Sequence, residues 1–398
     1  MFYNQLLLFK TLGIILAFVF SNTNVIAQDF PSFGPEIQVT ISGLATNSME
    51  PFISPDGSYL FFNNLNDGIN TRLYYAERVN DSTFTFIGEL NGTNQENNPQ
   101  LNAVASLDTT NNFYWVSLRD YPLEFDNLFH GEYENGNVTN IGRLHGDFYI
   151  YNPGWILMDH GISYDGQLLY FNNARFEDCP GPCETRIGVA QKENDSTFTM
   201  LTNSSEILAT VNKPNYKNYA PAITSDELEL YYTRFLKGPI TANSIAEICV
   251  VVRNSPTDTF SAPEVLFSEL IVTDFVEAPT LTTDKQIMYY HKKVNGLHKI
   301  MMRYRQIVDG VEVNEIEKPA LVISPNPMNN RTTITIDHSN SRKFSIVLLD
   351  SSGRIIRTYS AIPNNKIDIY KNNLRPGLYF VQLMRDSKSV ASYKLIVE

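Results

Sequence analysis

Cysteine, tryptophan and charged residues are all scarce in this chain of 398 residues. It contains three cysteines and two tryptophans, and charged side chains make up only 19% of the sequence. Tyrosine and phenylalanine are abundant instead, with 22 and 24 copies, and such aromatic residues favour strands over helices. No long stretch repeats apolar residues at the 3.6-residue spacing of an amphipathic helix. The composition therefore predicts an all-β protein.

Long apolar runs are lacking except near the N-terminus. Lys10 precedes a short apolar run over residues 11–20, and Val25 and Ala27 place small side chains before a cleavage site. The run is too short to cross a bilayer, so residues 1–27 are predicted to be a signal peptide. No cysteine follows the predicted cut, which argues against a lipid anchor there. We expect an exported protein without a membrane-spanning segment.

Positive charge is scarce outside the C-terminal tail. The net charge is −12, and basic side chains predominate only in residues 321–398. An acidic body repels the phosphate backbone of nucleic acids, so we expect no nucleic-acid partner. The excess negative charge is consistent with the solubility of an extracellular protein.

The few cysteines limit covalent and metal chemistry. Cys179 and Cys183 flank a Pro-Gly-Pro sequence, and in an exported protein this spacing predicts a small disulfide loop. A metal site is the weaker alternative, because no second ligand pair has zinc-type spacing. Cys249 lies in the apolar run 248–252 and is predicted to be a buried, unreactive thiol.

One sequence unit recurs five times along the body of the chain. Each copy runs from a polar residue, often near a proline, through an aspartate turn into an aromatic strand. The turn aspartates are Asp56, Asp108, Asp165, Asp226 and Asp284. The units are therefore roughly 50–60 residues long, which suits a four-stranded propeller blade. Residues 80–85 recur as residues 194–199 and support the same period.

The repeat predicts a five-bladed β-propeller over residues 28–309. A sixth, divergent blade within residues 120–158 is the alternative. Residues 33–40 are predicted to be a spare outer strand, which pairs with the fifth unit and closes the ring. The Ser-Pro-Asp-Gly turn at residues 54–57, with its following aromatic strand, resembles the TolB-like (WD40-like) propeller repeat. That family includes binding modules and peptidase propellers, so the resemblance predicts a fold and leaves the chemistry open.

The C-terminal tail has a different pattern. After an acidic linker, residues 310–320, residues 321–398 alternate apolar and polar side chains between Asn-Pro, Ser-Gly and Pro-Gly turns. This pattern predicts a small β-sandwich. The segment resembles the type A C-terminal sorting domain of the type IX secretion system of Bacteroidetes. The resemblance implies that the type IX secretion machinery is a partner and that the protein is secreted or lies at the cell surface.

Two rings of polar residues are candidates for ligand binding on the loop-bearing face of the propeller. The inner ring follows the starts of the units and contains Glu50, Asp159, His160 and Glu277. The outer ring follows three aromatic strands and contains Arg119, Arg175 and Arg234, which could together bind an anion. The structural alternative for each is a hydrogen bond to nearby backbone or an ion pair with the next blade.

The long loop 146–158 adds an aromatic candidate. Its Trp155 suits the stacking of a sugar or the capture of a peptide, and the alternative is packing over an irregular third unit. No cofactor is predicted. The Asn/Asp-rich loop 63–68 has the residue types of a Ca²⁺ site, but such clusters are usually turns.

Three classes of function remain open at this point. The first is a surface binding module for a glycan, a peptide or a protein. The second is a glycoside hydrolase or lyase, in which Glu50, Asp159 and Glu277 converge as acid and base. The third is a structural component of an envelope assembly. The enzyme requires the three carboxyl groups to lie in one cleft rather than in separate blade interfaces.

Overall fold

The computed structural model of the chain describes residues 30–95, 97–177, 181–306, 320–337, 344–350, 354–359, 362, 366–385 and 388–398. The predicted signal peptide and most of the predicted linker lie outside the described residues. Nearly all of the regular secondary structure in the described part is strand, which confirms the all-β class. The chain divides into two units between residues 307 and 308.

The first unit contains five sheets, numbered here in chain order. Sheet 1 contains Thr40–Ser42, Met49–Ile53, Tyr59–Asn63, Leu73–Asn80 and Thr83–Glu89. Sheet 2 contains Asn70–Thr71, Gln100–Leu107, Asn112–Ser117, Leu128–Glu134 and Asn137–Arg143. Sheet 3 contains His145–Gly146, Trp155–Ile162, Leu168–Arg175, Glu184–Asn194 and Thr197–Met200.

The last two sheets complete the unit. Sheet 4 contains Tyr216–Ile223, Glu229–Leu236, Ile245–Val252 and Glu264–Leu270. Sheet 5 contains Ser32–Phe33, Ile37–Gln38, Val276–Leu281, Ile287–Val294 and Leu297–Gln306. One-turn helices follow sheets 3 and 4, at Ser204–Ile207 and Ile271–Asp274. Residues 120–158, where a sixth blade was the alternative, supply strands to sheets 2 and 3.

The five sheets form a closed ring. In each sheet the repeat supplies the inner strand first, at Met49–Ile53, Gln100–Leu107, Trp155–Ile162, Tyr216–Ile223 and Val276–Leu281. Each of these first strands contacts the first strand of the next sheet, and that of sheet 5 contacts that of sheet 1. The arrangement is propeller-like, with the first strands surrounding a common axis.

An aromatic pair in the second strand of each sheet explains why the sheets stack. The pairs are Phe61 and Phe62, Tyr114 and Trp115, Tyr170 and Phe171, Tyr231 and Tyr232, and Tyr289 and Tyr290. Neighbouring residues of a strand point to opposite faces of the sheet. One ring of each pair therefore enters the core shared with the preceding sheet, and the other enters the core shared with the following sheet. Apart from Phe171, which is 3% exposed, these rings are among the largest fully buried side chains of the described residues.

Hydrogen bonds between neighbouring sheets surround the axis. Each first strand contains a register shift. In four of the five sheets, the backbone N–H beside this shift donates to the side chain of the residue that follows the aromatic pair of the preceding sheet. Four such bonds join Val104 to Asn63, Ala220 to Asn172, Ala278 to Thr233 and Glu50 to His291. Sheet 2 has Val116 at this position, which has no side-chain acceptor. The bond from Glu50 to His291 joins the first sheet to the last.

The N-terminal segment completes sheet 5. Ser32–Phe33 and Ile37–Gln38 both pair antiparallel with Leu297–Gln306. The sequence predicts this closing strand over residues 33–40. The structure ends it at Gln38, because Thr40–Ser42 turns away and pairs in parallel with Thr83–Glu89 of sheet 1.

A Glu36→Ala substitution is expected to weaken this closure. Glu36 accepts a hydrogen bond from the Tyr290 hydroxyl at 2.6 Å, and its carboxylate lies 3.2 Å from the Lys292 ammonium. Loss of these partners is expected to lower the free energy of unfolding by about 1–2 kcal/mol. Urea unfolding measures the change, with Glu77→Ala at an exposed position of sheet 1 as the control. Equal midpoints for the two variants would contradict the prediction.

The aspartate turns close one end of the axis. The Tyr164 hydroxyl donates to the Pro55 carbonyl at 3.1 Å, and the Thr283 hydroxyl donates to the same carbonyl at 2.5 Å. Ser225 donates to the Thr283 carbonyl, and Thr109 donates to the Tyr164 carbonyl. Turns from all five sheets are thus bonded together at this end of the axis.

The second unit contains two antiparallel sheets. One contains Ala320–Ser324, Arg331–Asp337 and Lys366–Tyr370, and the other contains Phe344–Asp350, Ile355–Tyr359, Gly377–Arg385 and Lys388–Val397. Ile334 and Ile369 of the first sheet share a buried core with Ile346, Val381 and Leu395 of the second. Alternating apolar residues in each strand form this core.

Candidate functional site

A cavity of about 460 Å³ occupies the axis of the first unit, on the face opposite the aspartate turns. The inner strands of sheets 1, 3 and 5 contribute its acidic side chains: Glu50, Asp159 and Glu277. Its wall is mostly apolar and includes Met49, Leu101, Met158, Phe235 and Phe275. Gly181 and Pro182, from the loop that holds Cys183, also line it. The structure therefore brings together the three carboxyl groups that the enzyme hypothesis requires in one cleft.

The three acidic residues lie at or next to the register shifts of the inner strands. Glu50 and Asp159 occupy equivalent positions of sheets 1 and 3, directly at the shift, and Glu277 lies one position earlier in sheet 5. The backbone of Glu50 has a φ of 50°, in the left-handed region that non-glycine residues seldom adopt. The equivalent positions of sheets 2, 4 and 5 share this conformation, so it belongs to the repeat; the residues are Val104, Ala220 and Ala278, with φ values of 54°, 51° and 56°.

Burial and mutual repulsion raise the pKa of two of the carboxyl groups. The pKa of Asp159 rises to about 8, first because the group is buried and second because of the negative charge of Glu277. Burial is also the largest cause of the raised pKa of Glu50, followed by the charges of Asp159 and Glu277. Asp159 therefore favours its protonated form at neutral pH more strongly than an ordinary carboxyl group does.

His291 faces the Glu277 carboxylate. Its Nδ1 accepts a hydrogen bond from the backbone N–H of Glu50 at 3.0 Å, so the proton of the neutral ring is assigned to Nε2. That Nε2 lies 3.2 Å from Oε1 of Glu277. The neighbouring His298 is neutral at pH 7, because burial lowers its pKa to about 4. His291 thus joins sheets 5 and 1 and lies beside the Glu277 carboxyl group, although its Nε2 makes no hydrogen bond among the described residues.

Several polar atoms at the cavity lack hydrogen-bond partners in the part of the chain that the structure describes. These atoms are Glu50 Oε2, Asp159 Oδ2, the Tyr219 hydroxyl and His298 Nδ1. In contrast, Glu50 Oε1 accepts a hydrogen bond from Asn66 at 2.7 Å. Buried polar groups normally have partners, so these unpaired atoms indicate that a polar ligand or water completes the site.

The other candidates from the sequence lie outside this group. His160 borders a smaller space of about 80 Å³ between the acidic residues and the closed end of the axis, and burial lowers its pKa to about 3. Arg234 pairs with Glu247 at 2.6 Å and stacks on Tyr216. Arg119 stacks on Phe129 and donates to a backbone carbonyl. Two arginines of the predicted anion site are thus held by their own neighbours.

Arg175 and Trp155 also lie away from the carboxyl groups. Arg175 donates to the backbone carbonyl of Glu177 at 3.5 Å. Each of the three arginines of the predicted anion site thus contacts its own neighbours instead of a shared site. Trp155 lines a different cavity, between sheets 3 and 4. Cys183 is disulfide-bonded, but its predicted partner Cys179 lies outside the described residues, so that pairing stays a prediction. Cys249 is a buried free thiol, as predicted.

Sequence reasoning missed the residues that support the carboxyl groups. Asn66 and His298 contact the site from loop and outer-strand positions that do not recur in the repeat. His291 follows the aromatic pair of its strand, as Asn63, Asn172 and Thr233 do in theirs, so its place beside the axis was readable from the sequence. Polar side chains of the loop 63–68 form hydrogen bonds within or next to the loop. Nδ2 of Asn63 donates to Oδ1 of Asn66, and the backbone N–H of Asn70 donates to Oδ1 of Asp67. Among the described residues, no group of three or more acidic, histidine or cysteine side chains is arranged to hold a metal ion.

The tail matches a known protein family. Residues 322–398 match the family described as the secretion system C-terminal sorting domain. The tail is a type IX sorting domain. This confirms the predicted partner, the type IX secretion machinery, and shows that the protein is exported to the cell surface or the extracellular space. None of the helices in the described ranges has both the length and the apolar character to span a bilayer.

No curated protein matches the chain, but solved structures are similar to it. A thermostable family-43 glycoside hydrolase has 14% identity and a TM-score of 0.44, over 69% of this chain and 94% of that one. A family-117 glycoside hydrolase from Zobellia galactanivorans has 9% identity and a TM-score of 0.41, over 69% and 90%. A luciferin-regenerating enzyme has 11% identity and a TM-score of 0.38, over 82% and 94%. At this distance the likeness says nothing about chemistry, which has to be argued from the site.

Proposed function

We propose that the protein is a secreted or surface enzyme of the glycoside hydrolase or lyase class, with its active site in the axial cavity. The convergence of Glu50, Asp159 and Glu277 from three different sheets supports this proposal. Each of the five sheets is one blade of a TolB-like propeller in this view, and the two sheets of the tail form the β-sandwich of the sorting domain. Residues 1–27 act as the signal peptide.

The two protonation states give the carboxyl groups different roles. Cleavage of a glycosidic bond needs one protonated carboxyl group to protonate the leaving oxygen, and one carboxylate to act as base or nucleophile. Asp159 supplies the proton, because burial and the charge of Glu277 keep it protonated at neutral pH. Glu277 is the carboxylate, and Nε2 of His291 lies 3.2 Å from its Oε1. Glu50 is a positioning residue, held by Asn66.

The apolar wall favours a second candidate, which is binding without turnover. Oε2 of Glu50 and Oδ2 of Asp159 are covered from solvent, and apolar side chains dominate the wall above them. A surface binding module, the first hypothesis from the sequence, would use the same cavity to hold a ligand with an apolar face and a polar edge. The two candidates predict the same binding site but different fates of the ligand.

A substrate screen with a Glu277→Gln variant separates the candidates. The full chain is incubated with a panel of aryl glycosides and polysaccharides, and released sugars or unsaturated products are measured. We expect turnover by the native chain and at least about a hundredfold loss of kcat in Glu277→Gln. Glu206→Gln, at an exposed position, is the control. Ligand binding that Glu277→Gln weakens, without any turnover by the native chain, would support the binding candidate instead.

A further inference from the structure

A second cavity of about 820 Å³ lies between sheets 3 and 4, and it shares no lining residue with the axial cavity. We call it the sheet 3–4 groove. Trp155 and Asn173 line it from the first two strands of sheet 3, and Tyr216 and Asn218 line it from the first strand of sheet 4. Its volume lies within the range of about 300–1,000 Å³ that is usual for small-ligand sites.

Two buried amide oxygens in the groove lack donors. Asn173 is 6% exposed and Asn218 is 1% exposed, and neither Oδ1 has a hydrogen-bond partner in the part of the chain that the structure describes. The Nδ2 of Asn173 donates to the Phe148 carbonyl at 2.7 Å, which fixes the amide so that its oxygen is the free atom. An unpaired buried acceptor is costly, so both oxygens need a donor from a ligand or from water.

Aromatic side chains that pack on one another also line the groove. The rings of Phe148 and Tyr149 are buried with centroids 4.4 Å apart, and Phe148 also packs on Phe171 at 5.1 Å. Trp155 is half-buried and lines the same groove. A half-exposed indole next to hydrogen-bond acceptors suits a ligand with one apolar face and several hydroxyl groups.

The rim of the groove is more basic than the acidic body around it. Lys213 and Lys237 are exposed and form no salt bridge among the described residues. Asp147 and Glu184, the acidic residues of the groove, are already engaged. Asp147 accepts the Met200 N–H at 2.6 Å, and Glu184 pairs with Arg186 at 3.1 Å. The two lysines are therefore available for an anionic group.

We propose that the sheet 3–4 groove binds a short carbohydrate chain that carries carboxylate groups. A sugar ring stacks its C–H face on Trp155 and donates hydroxyl protons to the oxygens of Asn173 and Asn218. The carboxylate of a uronic acid unit then meets Lys213 and Lys237 at the rim. The proposal does not depend on chemistry in the axial cavity, because the two cavities have separate linings.

Calorimetric titration of the full chain tests the proposal. The probes are a tetrasaccharide of galacturonate and a neutral tetrasaccharide of glucose. We expect the uronate to bind at least about tenfold more tightly than the neutral sugar, and its affinity to fall as salt is raised. Equal affinity for the two sugars, or no binding of either, would overturn the proposal. Tighter binding of an acidic hexapeptide than of the uronate would also overturn it.

Variants locate the binding. Trp155→Ala is expected to weaken uronate binding by about tenfold or more, whereas Tyr151→Ala removes an exposed aromatic side chain of the same loop and leaves binding unchanged. The double variant Lys213→Gln/Lys237→Gln changes only exposed residues, so it should fold normally and lose the preference for the uronate. Glu277→Gln should bind the uronate like the native chain. Normal binding by both groove variants would overturn the proposal.

Discussion

An Asp159→Asn variant is expected to lose about 10²–10⁴ in kcat/KM on substrates with a poor leaving group. Asparagine keeps the shape of the side chain but has no acidic proton for the departing oxygen. The loss should be far smaller on an aryl glycoside with a good leaving group, because that oxygen departs without protonation. This contrast identifies a proton donor, since a purely structural defect would reduce activity on both substrates alike.

The pH dependence of activity provides a second test of Asp159 as the proton donor. Because burial and Glu277 raise the pKa of Asp159 to about 8, native activity is expected to fall as pH rises through about 8. The stability of the fold should also decrease as pH rises. The folded state holds a proton that the unfolded chain releases near its ordinary pKa of about 4, so the free energy of unfolding should decline between about pH 4 and pH 8. Asp159→Asn should remove that part of the decline.

A matched exposed aspartate provides the control for both measurements. Asp258→Asn changes a loop residue far from the inner strands in sequence, and it should keep the activity and pH profile of the native chain. If Asp159→Asn lowered kcat/KM equally on all substrates, and its activity still fell at alkaline pH as that of the native chain does, Asp159 would not be the proton donor.

Glu229→Gln is expected to destabilise the first unit by about 3 kcal/mol. The Glu229 carboxylate receives two parallel hydrogen bonds from Arg305, each 2.9 Å long, and lies 3.0 Å from the Lys285 ammonium. The Tyr231 hydroxyl also donates to it at 2.6 Å. A neutral amide leaves the guanidinium and the ammonium without their partner in a largely buried position. These bonds join sheet 4 to sheet 5, so their loss weakens one of the five junctions of the ring.

Thermal and pH-dependent unfolding measure this effect. Burial raises the pKa of Glu229, but the hydrogen bonds from Arg305, Tyr231 and Lys285 outweigh burial and leave it lowered. The stabilisation is therefore complete above the ordinary glutamate pKa and is lost as pH falls through the lowered value. The Tm of Glu229→Gln should be about 5–10 °C below that of the native chain at pH 7, and the gap should close in acid. Glu264→Gln, at an exposed position of sheet 4, is the control; a Tm deficit of the same size there, or one that persists in acid, would contradict the prediction.

Local signals made the ring predictable from the sequence. The aspartate turns and the aromatic pairs recur with each unit, so the strand order could be read without knowledge of distant contacts. The closing strand was predictable because the fifth unit has too few strands of its own. The convergence of Glu50, Asp159 and Glu277 followed from their place at the starts of the units, although their number and chemistry did not.

Long-range packing made the remaining features of the site unpredictable. Arg234 looked available for a ligand until its contacts with Glu247 and Tyr216 were known. Trp155 lies in a groove between two sheets, away from the three carboxyl groups, and no local sequence pattern indicated that position. The raised pKa of Asp159 depends on burial by all five sheets, and no short segment of sequence encodes that property.

The pairing of Ser32–Phe33 with Arg305 and Gln306 also constrains how the body of the protein can reach its final form. The two partners are separated by almost the whole unit, so their association carries the largest entropy cost of loop closure and comes late. Until residues 297–306 are available, Ser32–Phe33 and Ile37–Gln38 lack the strand with which they pair. Sheets formed early can therefore stand only in an open arc, and the arc closes into a ring when the last strand of the unit joins the N-terminal segment.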